Sequence, residues 1–404
     1  MPELPSPPSA HPTPPWIVRP TARAWRCAPA PAGVRAFHAT LPDYSPTPLT
    51  RLPVLEAESA VGRIYVKDES CRLGLPAFKA LGASWAIHRA LADRTAATAD
   101  ATHNRRPHPD VHPDVHPHPH PNPDPLPTPV TLVTATDGNH GRAVARMARL
   151  LGQRAHVFVP RGVHPQALAA IVAERATVTE VQGPYDEAVR RAAEEAAEPC
   201  AVLVQDTAWP GYERIPGWIV EGYSTLCAEI DEQLRADGVG EGPNLVSIPV
   251  GVGSLAQAVV THYRSRPSVR APALLSVEPR SAACVLASLV HGAPVSVTTG
   301  DTIMAGLNCG TPSSIAWPYL NHGLDAAVAV SDADTARAAA RLAALGVSAG
   351  PCGAAALAGL RTILTGPDGD ARRTALGLDT DSVIVLLNTE GTAANPHAPA
   401  DDVS

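Results

Sequence analysis

The sequence predicts an α/β fold built from two parallel-sheet domains, and three observations carry that prediction. Short continuous apolar runs alternate with helix-like stretches along most of the chain, the pattern of strands covered on both faces by crossover helices. The number of such runs exceeds what one sheet holds comfortably, which divides them between two. Hydrophobic residues make up 45% of the 404, enough for a large core, and with only 3 Phe, 7 Tyr and 6 Trp that core must be filled by Ala, Val and Leu.

Residues 1–20 hold eight prolines and no periodicity, so they read as a disordered arm. Strands are predicted at Arg63–Val66, Val130–Thr134, Ala155–Val159, Thr177–Val181, Ala201–Val204, Leu245–Pro249, Leu274–Val277 and Ser382–Leu387. Helices begin near Lys79, His140, Pro165, Tyr185, Ile215, Ser254, Ser281, Asp332 and Gly353. One segment breaks the alternation. Residues 101–129 contain ten prolines and six histidines (His103, His108, His112, His116, His118, His120). Proline at that density excludes helix and central strand and predicts an extended, disordered insertion. Its histidines could take up zinc or nickel adventitiously, but nothing fixes a coordination geometry, so no metal is expected. The expected organisation is a larger domain of residues 21–83 and 191–398, and a smaller one of 84–190 that carries the insertion.

A net charge of -7 and no long Lys/Arg cluster exclude the electrostatic footprint of a nucleic-acid binder. No run of 18 apolar residues could span a bilayer, and the Pro-rich start lacks the basic and apolar regions of a signal peptide. A cytoplasmic protein with no membrane partner is expected. Seven cysteines, an odd number without a C-x-x-C pair, argue against a disulfide framework and a zinc ribbon.

Only Lys67 and Lys79 among the 32 basic residues are lysines. Arginine neither loses its proton in a protein nor forms a Schiff base, whereas a lysine amine does both, so a retained lysine marks a candidate nucleophile. Ligands of parallel sheets collect beyond the carboxyl ends of strands, which directs attention to the turns there. After the strand at Val130 comes Thr136-Asp137-Gly138-Asn139-His140-Gly141, whose glycines permit a tight turn of backbone amides at a helix start, a nest suited to a carboxylate. After the strand at Leu245 comes Gly251-Val252-Gly253-Ser254-Leu255, a cradle of amides suited to phosphate. It lacks the third glycine of a dinucleotide fingerprint and the Gly-Lys-Ser/Thr ending of a nucleotide-triphosphate loop. Lys79 opens a helix, where the dipole favours the free amine. A nucleophilic lysine, a phosphate cradle and a carboxylate nest together specify pyridoxal 5'-phosphate acting on an amino acid.

Those residues resemble a known family. Lys79 in its K-x-L-G-A setting, the D-G-N-H-G turn and the G-V-G-S loop are similar to the fold-type II pyridoxal-phosphate enzymes, the tryptophan-synthase β group that includes serine and threonine dehydratases. Within that group the likeness is greatest to the diaminopropionate ammonia-lyases. It rests on VKDES with GLPAFKALGAS (66–84), TATDGNHG (134–141), QDTAWPGYERIPGWIVEGY (205–223) and TIMAGLNCGTPSSIAWPYL (302–320), and extends over residues 40–395. The resemblance implies that Lys79 carries the cofactor as a Schiff base and that Asn139 meets its phenolic oxygen. Gly251, Val252, Gly253, Ser254 and Leu255 would bind its phosphate, and Thr389 would place a hydroxyl against the pyridine nitrogen. Thr136, Asp137, Asn139 and His140 would bind substrate, and a homodimer is implied. The family's E-S-G-A turn is altered here, with Pro351 and Cys352 standing for Glu and Ser. Cys284 and Cys309 fall in matched regions and could pair under oxidising conditions, but free thiols are expected in cytoplasm.

Where the dehydratases usually carry Ser before G-N-H, this chain has Asp137. A β-amino leaving group is cationic, so a neighbouring carboxylate attracts it, which favours a diamino substrate. Asp137 could also take the Cα proton, and Asp206, at a strand end, offers a second carboxylate. Two bases on opposite faces would serve both D and L substrates, as the resemblance implies. The expected activity is elimination from 2,3-diaminopropionate, giving pyruvate and two ammonia. The alternatives are a threonine or serine dehydratase or an amino acid racemase on the same scaffold, and a non-catalytic cofactor-binding or metal-carrying protein.

Overall fold

Strands form where β-branched and aliphatic residues run together between turn residues. In chain order they are β1 (Trp16–Val18), β2 (Leu49–Arg51), β3 (Arg63–Asp68), β4 (Thr131–Ala135), β5 (Arg154–Pro160), β6 (Thr177–Val181), β7 (Ala201–Leu203), β8 (Leu245–Pro249), β9 (Ala273–Pro279), β10 (Ala326–Val330) and β11 (Val383–Asn388). The structure is a computed structural model and describes residues 15–103, 129–136, 138–183, 185–266 and 271–394.

Seven strands make one sheet in the order β1-β10-β9-β8-β11-β3-β2, and four make a second in the order β6-β5-β4-β7. The second sheet is parallel throughout, and the first is parallel except at its edges, where β1 and β2 run antiparallel. Every residue of β8, β9, β10 and β11 is buried, as expected of strands covered on both faces. One hydrophobic cluster runs through both sheets, joining Leu132 and Val157 of the smaller to Val246 and Ile248 of the larger.

Several expectations need correction. Trp16–Val18 pairs with Val328, Ala327 and Ala326, so an arm reaching residue 20 is not what forms; residues 1–14 lie outside the described residues. The sequence reading missed β10, because the run AAVAV is short and alanine-rich and carries little β signal. The smaller sheet does not end at residue 190, since β7 returns to pair with β4. The helix Ala80–His103 runs three residues into the segment expected to be extended, and residues 104–128 lie outside the described residues.

Candidate active site

Lys79 is held at the mouth of the helix Ala80–His103 by a loop that follows β3. The Arg72 guanidinium, fully buried, fixes that loop by donating to Glu69, Glu229 and Thr47. Beyond it, the Phe78 amide donates to the Thr389 carbonyl at 3.2 Å and the Gly391 amide to the Pro76 carbonyl at 2.9 Å. Thr389 and Glu390 are thereby laid against the two residues before Lys79, with Ala77 and Glu390 bridged as an antiparallel pair. Lys67, the other lysine, has a different fate. Its Nζ is buried against Glu229 Oε2 at 2.7 Å, the Thr47 carbonyl at 2.7 Å and Gln233 Oε1 at 2.9 Å, a structural ion cluster.

Lys79 Nζ donates to Asp206 Oδ2 at 2.6 Å. Asp206 follows β7 and is buried. Burial raises its carboxyl, but the neighbouring His140 ring and the Lys79 ammonium outweigh that penalty and hold it below the usual carboxylate range. His140 Nδ1 lies 3.8 Å from the same oxygen. Its Nε2 lies 2.7 Å from the Val204 carbonyl, which only accepts, so Nε2 is a donor.

The turn after β4 is organised by Thr136, whose Oγ1 accepts from the Gly138 amide at 3.0 Å and the Gly141 amide at 3.1 Å. A Cβ on Gly141 would stand 2.3 Å from Thr136 Cγ2, so only glycine closes this turn. Thr136, expected among the substrate-binding residues, shapes the nest through its hydroxyl oxygen. Asp137 lies outside the described residues. Asn139 begins the helix Asn139–Leu150, and its Nδ2 donates to Glu390 Oε2 at 2.8 Å.

The loop after β8 leads into the helix Ser254–Arg264. Gly253 has φ +103 and a Cβ there would meet Leu320 Cδ1 at 2.5 Å, which requires glycine twice over. Among the described residues, the amides of Gly251, Val252, Gly253, Ser254 and Leu255 donate to no backbone carbonyl, leaving five donors at the positive end of a helix. That is the donor set a phosphate monoester needs, and with Lys79 it fits pyridoxal phosphate. Ser254 Oγ donates to the Asp206 carbonyl at 3.1 Å, tying this loop to the lysine's partner. Ser313 joins the loop to the segment after β7, its amide donating to the Val252 carbonyl at 2.9 Å and its Oγ accepting from the Ala208 amide at 3.4 Å. Cys284 Sγ lies 3.8 Å from the Gly251 carbonyl, and a Cβ on Gly251 would be 3.0 Å from Cys309 Sγ. Neither cysteine is in a disulfide, and burial pushes the Cys284 thiol up.

The structure therefore brings together Lys79, Asp206, Asn139, His140, Thr389 and the Gly251 loop at the carboxyl ends of β3, β4, β7, β8 and β11. The sequence reading missed Glu390. Its Oε1 accepts from the Cys352 amide at 3.1 Å at the start of the helix Pro351–Leu364, the helix whose E-S-G-A glutamate is absent in this chain. The signal available was the loss of the family's glutamate at Pro351 in a chain that carries a glutamate directly after Thr389.

Residues 40–388 match the model of the pyridoxal-phosphate dependent enzyme family. The diaminopropionate ammonia-lyase of Salmonella typhimurium is 36% identical over 378 residues, covering 89% of this chain and 88% of its own. The crystal structure of diaminopropionate ammonia lyase from Escherichia coli in complex with an aminoacrylate-PLP azomethine reaction intermediate superposes with a TM-score of 0.75 at 33% identity, over 89% of this chain and 88% of that one. The same Escherichia coli enzyme in complex with D-serine gives a TM-score of 0.76 at 32% identity, over 89% and 88% of the two chains. The chain belongs to the pyridoxal-phosphate dependent enzyme family, on its diaminopropionate ammonia-lyase branch.

Proposed function

We propose that this protein is a carbon-nitrogen lyase that eliminates ammonia from 2,3-diaminopropionate. The observation that carries the proposal is the 2.6 Å contact between Lys79 Nζ and the buried Asp206 carboxylate, beside five loop amides that donate to no carbonyl among the described residues. Pyridoxal phosphate, when bound, supplies an electron sink for the negative charge that develops at Cα. Lys79 Nζ would hold it covalently, and the amides of residues 251–255, which donate to no described backbone carbonyl, would face its phosphate. Asn139, whose Nδ2 is oriented by Glu390, would donate to its phenolic oxygen, and Thr389 would be the neutral partner for its ring nitrogen.

Asp206 accepts the Cα proton of the L substrate and Asp137 that of the D substrate. The Lys79 ammonium is one of the groups holding Asp206 ionised and weakly basic. Once Lys79 Nζ gives up that charge, burial raises the carboxyl and strengthens it as a base. The carboxylates also attract the cationic β-amino group, which leaves as ammonia with the electrons of the Cβ–N bond. Released aminoacrylate adds water to give pyruvate and a second ammonia, so one diaminopropionate and one water yield one pyruvate and two ammonia. The reading includes a cytoplasmic homodimer; seven cysteines, none of them in a disulfide, suit a reducing compartment. Among the described residues, no helix is long and apolar enough to cross a membrane.

Borohydride reduction of the cofactor-loaded protein followed by peptide mapping tests the site. The pyridoxyl group is expected on Lys79 and absent from Lys79→Ala; a label on Lys67 would refute the assignment.

A further inference from the structure

Asp206 reaches Lys79 because the chain leaves the smaller sheet just before it, and the hydrogen bonds around that departure account for every backbone group it frees. β7 is an edge strand of the sheet, paired with β4 through Thr131↔Ala201, Leu132↔Val202 and Val133↔Leu203. The Thr131 amide donates to the Cys200 carbonyl at 2.8 Å and the Val204 amide to the Val133 carbonyl at 2.7 Å. Rungs of a parallel ladder recur at every second residue, so a further rung would run from the Ala135 amide to the Val204 carbonyl. It does not form. The Ala135 amide donates to Gln205 Oε1 at 3.0 Å, and the Val204 carbonyl accepts from His140 Nε2 at 2.7 Å. The fully buried Gln205 side chain has taken the place of the backbone on this side.

The outer side of β7 has no neighbouring strand, and there Tyr212 takes the open groups. Its hydroxyl accepts from the Gln205 amide at 2.8 Å and donates to the Leu203 carbonyl at 3.0 Å. Both are backbone groups that an edge strand leaves without partners, and burying them unpaired would be costly. The sequence explains how Tyr212 returns to that edge. Trp209-Pro210-Gly211-Tyr212 has the pattern of a type II turn, with proline second and a glycine at φ +89 third. The Tyr212 amide closes the turn on the Trp209 carbonyl at 2.8 Å, and the two rings stack with centroids 4.4 Å apart. The ring is thereby fixed in place. Burial pushes its hydroxyl pKa up, so it keeps the proton it donates.

We infer that Tyr212 is a positioning residue for proton transfer: by covering the open edge of β7 it lets the chain leave the sheet at Gln205 and present the Asp206 carboxylate to Lys79 Nζ. The inference rests on the reading above in which Asp206 takes the Cα proton of the L substrate. The Tyr212 hydroxyl bonds to main chain on both sides, so it acts through Asp206 and touches no reacting atom. Beyond Asp206 the chain is pinned again. The Asp206 carbonyl accepts from Ser254 Oγ at 3.1 Å, and the Ala208 amide donates to Ser313 Oγ at 3.4 Å. Asp206 is therefore held from one side by Tyr212 and from the other by the loop after β8. Among the described residues the Tyr212 hydroxyl bonds to nothing in the turn after β4, so a defect there falls on one enantiomer.

The test compares wild type and Tyr212→Phe, both loaded with pyridoxal phosphate; the change removes one oxygen and keeps the ring stack. Two assays are run on each: turnover of D- and L-2,3-diaminopropionate, and exchange of the Cα proton of D- and L-alanine in deuterium oxide, followed by NMR. Alanine has no leaving group, so its exchange reads proton transfer alone. Tyr212→Phe is expected to lower kcat on the L substrate and the L-alanine exchange rate by about tenfold or more, the effect of a displaced base. KM for the L substrate and both rates on the D enantiomers should stay within about threefold. Unchanged L rates would overturn the inference. So would equal falls on both enantiomers, which a general loss of packing produces. L-alanine exchange that survives in Asp206→Asn refutes Asp206 as the base and the inference with it. Wild type that exchanges L-alanine but releases no pyruvate from diaminopropionate defeats the lyase reading instead, and the exchange rates then decide Tyr212 alone.

Discussion

Asn139 and Glu390 stand 251 residues apart in the chain, and the Asn139 amide donates to Glu390 Oε2 at 2.8 Å. A carboxylate only accepts, so the contact fixes which end of the amide faces it and leaves the second Nδ2 hydrogen and Oδ1 in set directions. The other Glu390 oxygen accepts from the Cys352 amide at 3.1 Å, at the start of the helix Pro351–Leu364. One side chain thereby orients the Asn139 amide and caps a helix.

Replacing Glu390 with Ala should loosen both functions. Pyridoxal phosphate affinity, measured by equilibrium dialysis, should fall roughly fivefold to twentyfold, the effect of one misoriented hydrogen bond. Thermal stability should drop by about 1 kcal/mol from the lost cap. Unchanged cofactor affinity together with lowered stability would assign Glu390 to the helix alone.

The two-base reading predicts a split between enantiomers. Asp206→Asn should lower kcat on L-2,3-diaminopropionate by two orders of magnitude or more and spare the D substrate, while Asp137→Asn should do the reverse. Equal losses on both enantiomers from either variant would point to recognition of the β-ammonium in place of proton transfer.

Much of this site was legible because its chemistry-bearing residues sit in short motifs at strand ends. Lys79 stood out as one of two lysines, and the structure separates the pair plainly, Lys79 against Asp206 and Lys67 within a buried ion cluster. The Gly251 loop announced itself through glycines that the backbone requires. Other features depend on pairings that no local window contains. Glu390 acquires its partners only when the ends of β4 and β11 meet, β7 joins the smaller sheet by returning to β4, and Trp16–Val18 becomes a strand only because β10 offers an edge.

A pH dependence of stability should trace to Glu278, at the end of β9. The residue is fully buried, and burial pushes its carboxyl up to about 8 although the amides of Val285 and Leu286 oppose the shift. An unfolded glutamate ionises near 4.3. From there to about pH 8 the folded protein keeps a proton that the unfolded chain has lost, so stability is greatest below that window and falls as pH rises through it. Glu278→Gln removes the ionisation but loses one accepted bond, because its NH2 cannot accept from the Val285 or Leu286 amide as both Glu278 oxygens do. It should therefore melt below wild type at pH 4, with the gap closing as pH rises to 8. A melting temperature that differs equally at both pH values would show that Glu278 ionisation does not set the dependence.

The most direct measurement is product stoichiometry with the cofactor-loaded protein, using D- and L-2,3-diaminopropionate, serine and threonine in parallel. The predicted result is two ammonia for each pyruvate from 2,3-diaminopropionate, dependent on pyridoxal phosphate and abolished in Lys79→Ala, with slower release from serine and threonine. Faster turnover of serine or threonine, or no pyruvate from either enantiomer of diaminopropionate, would contradict it.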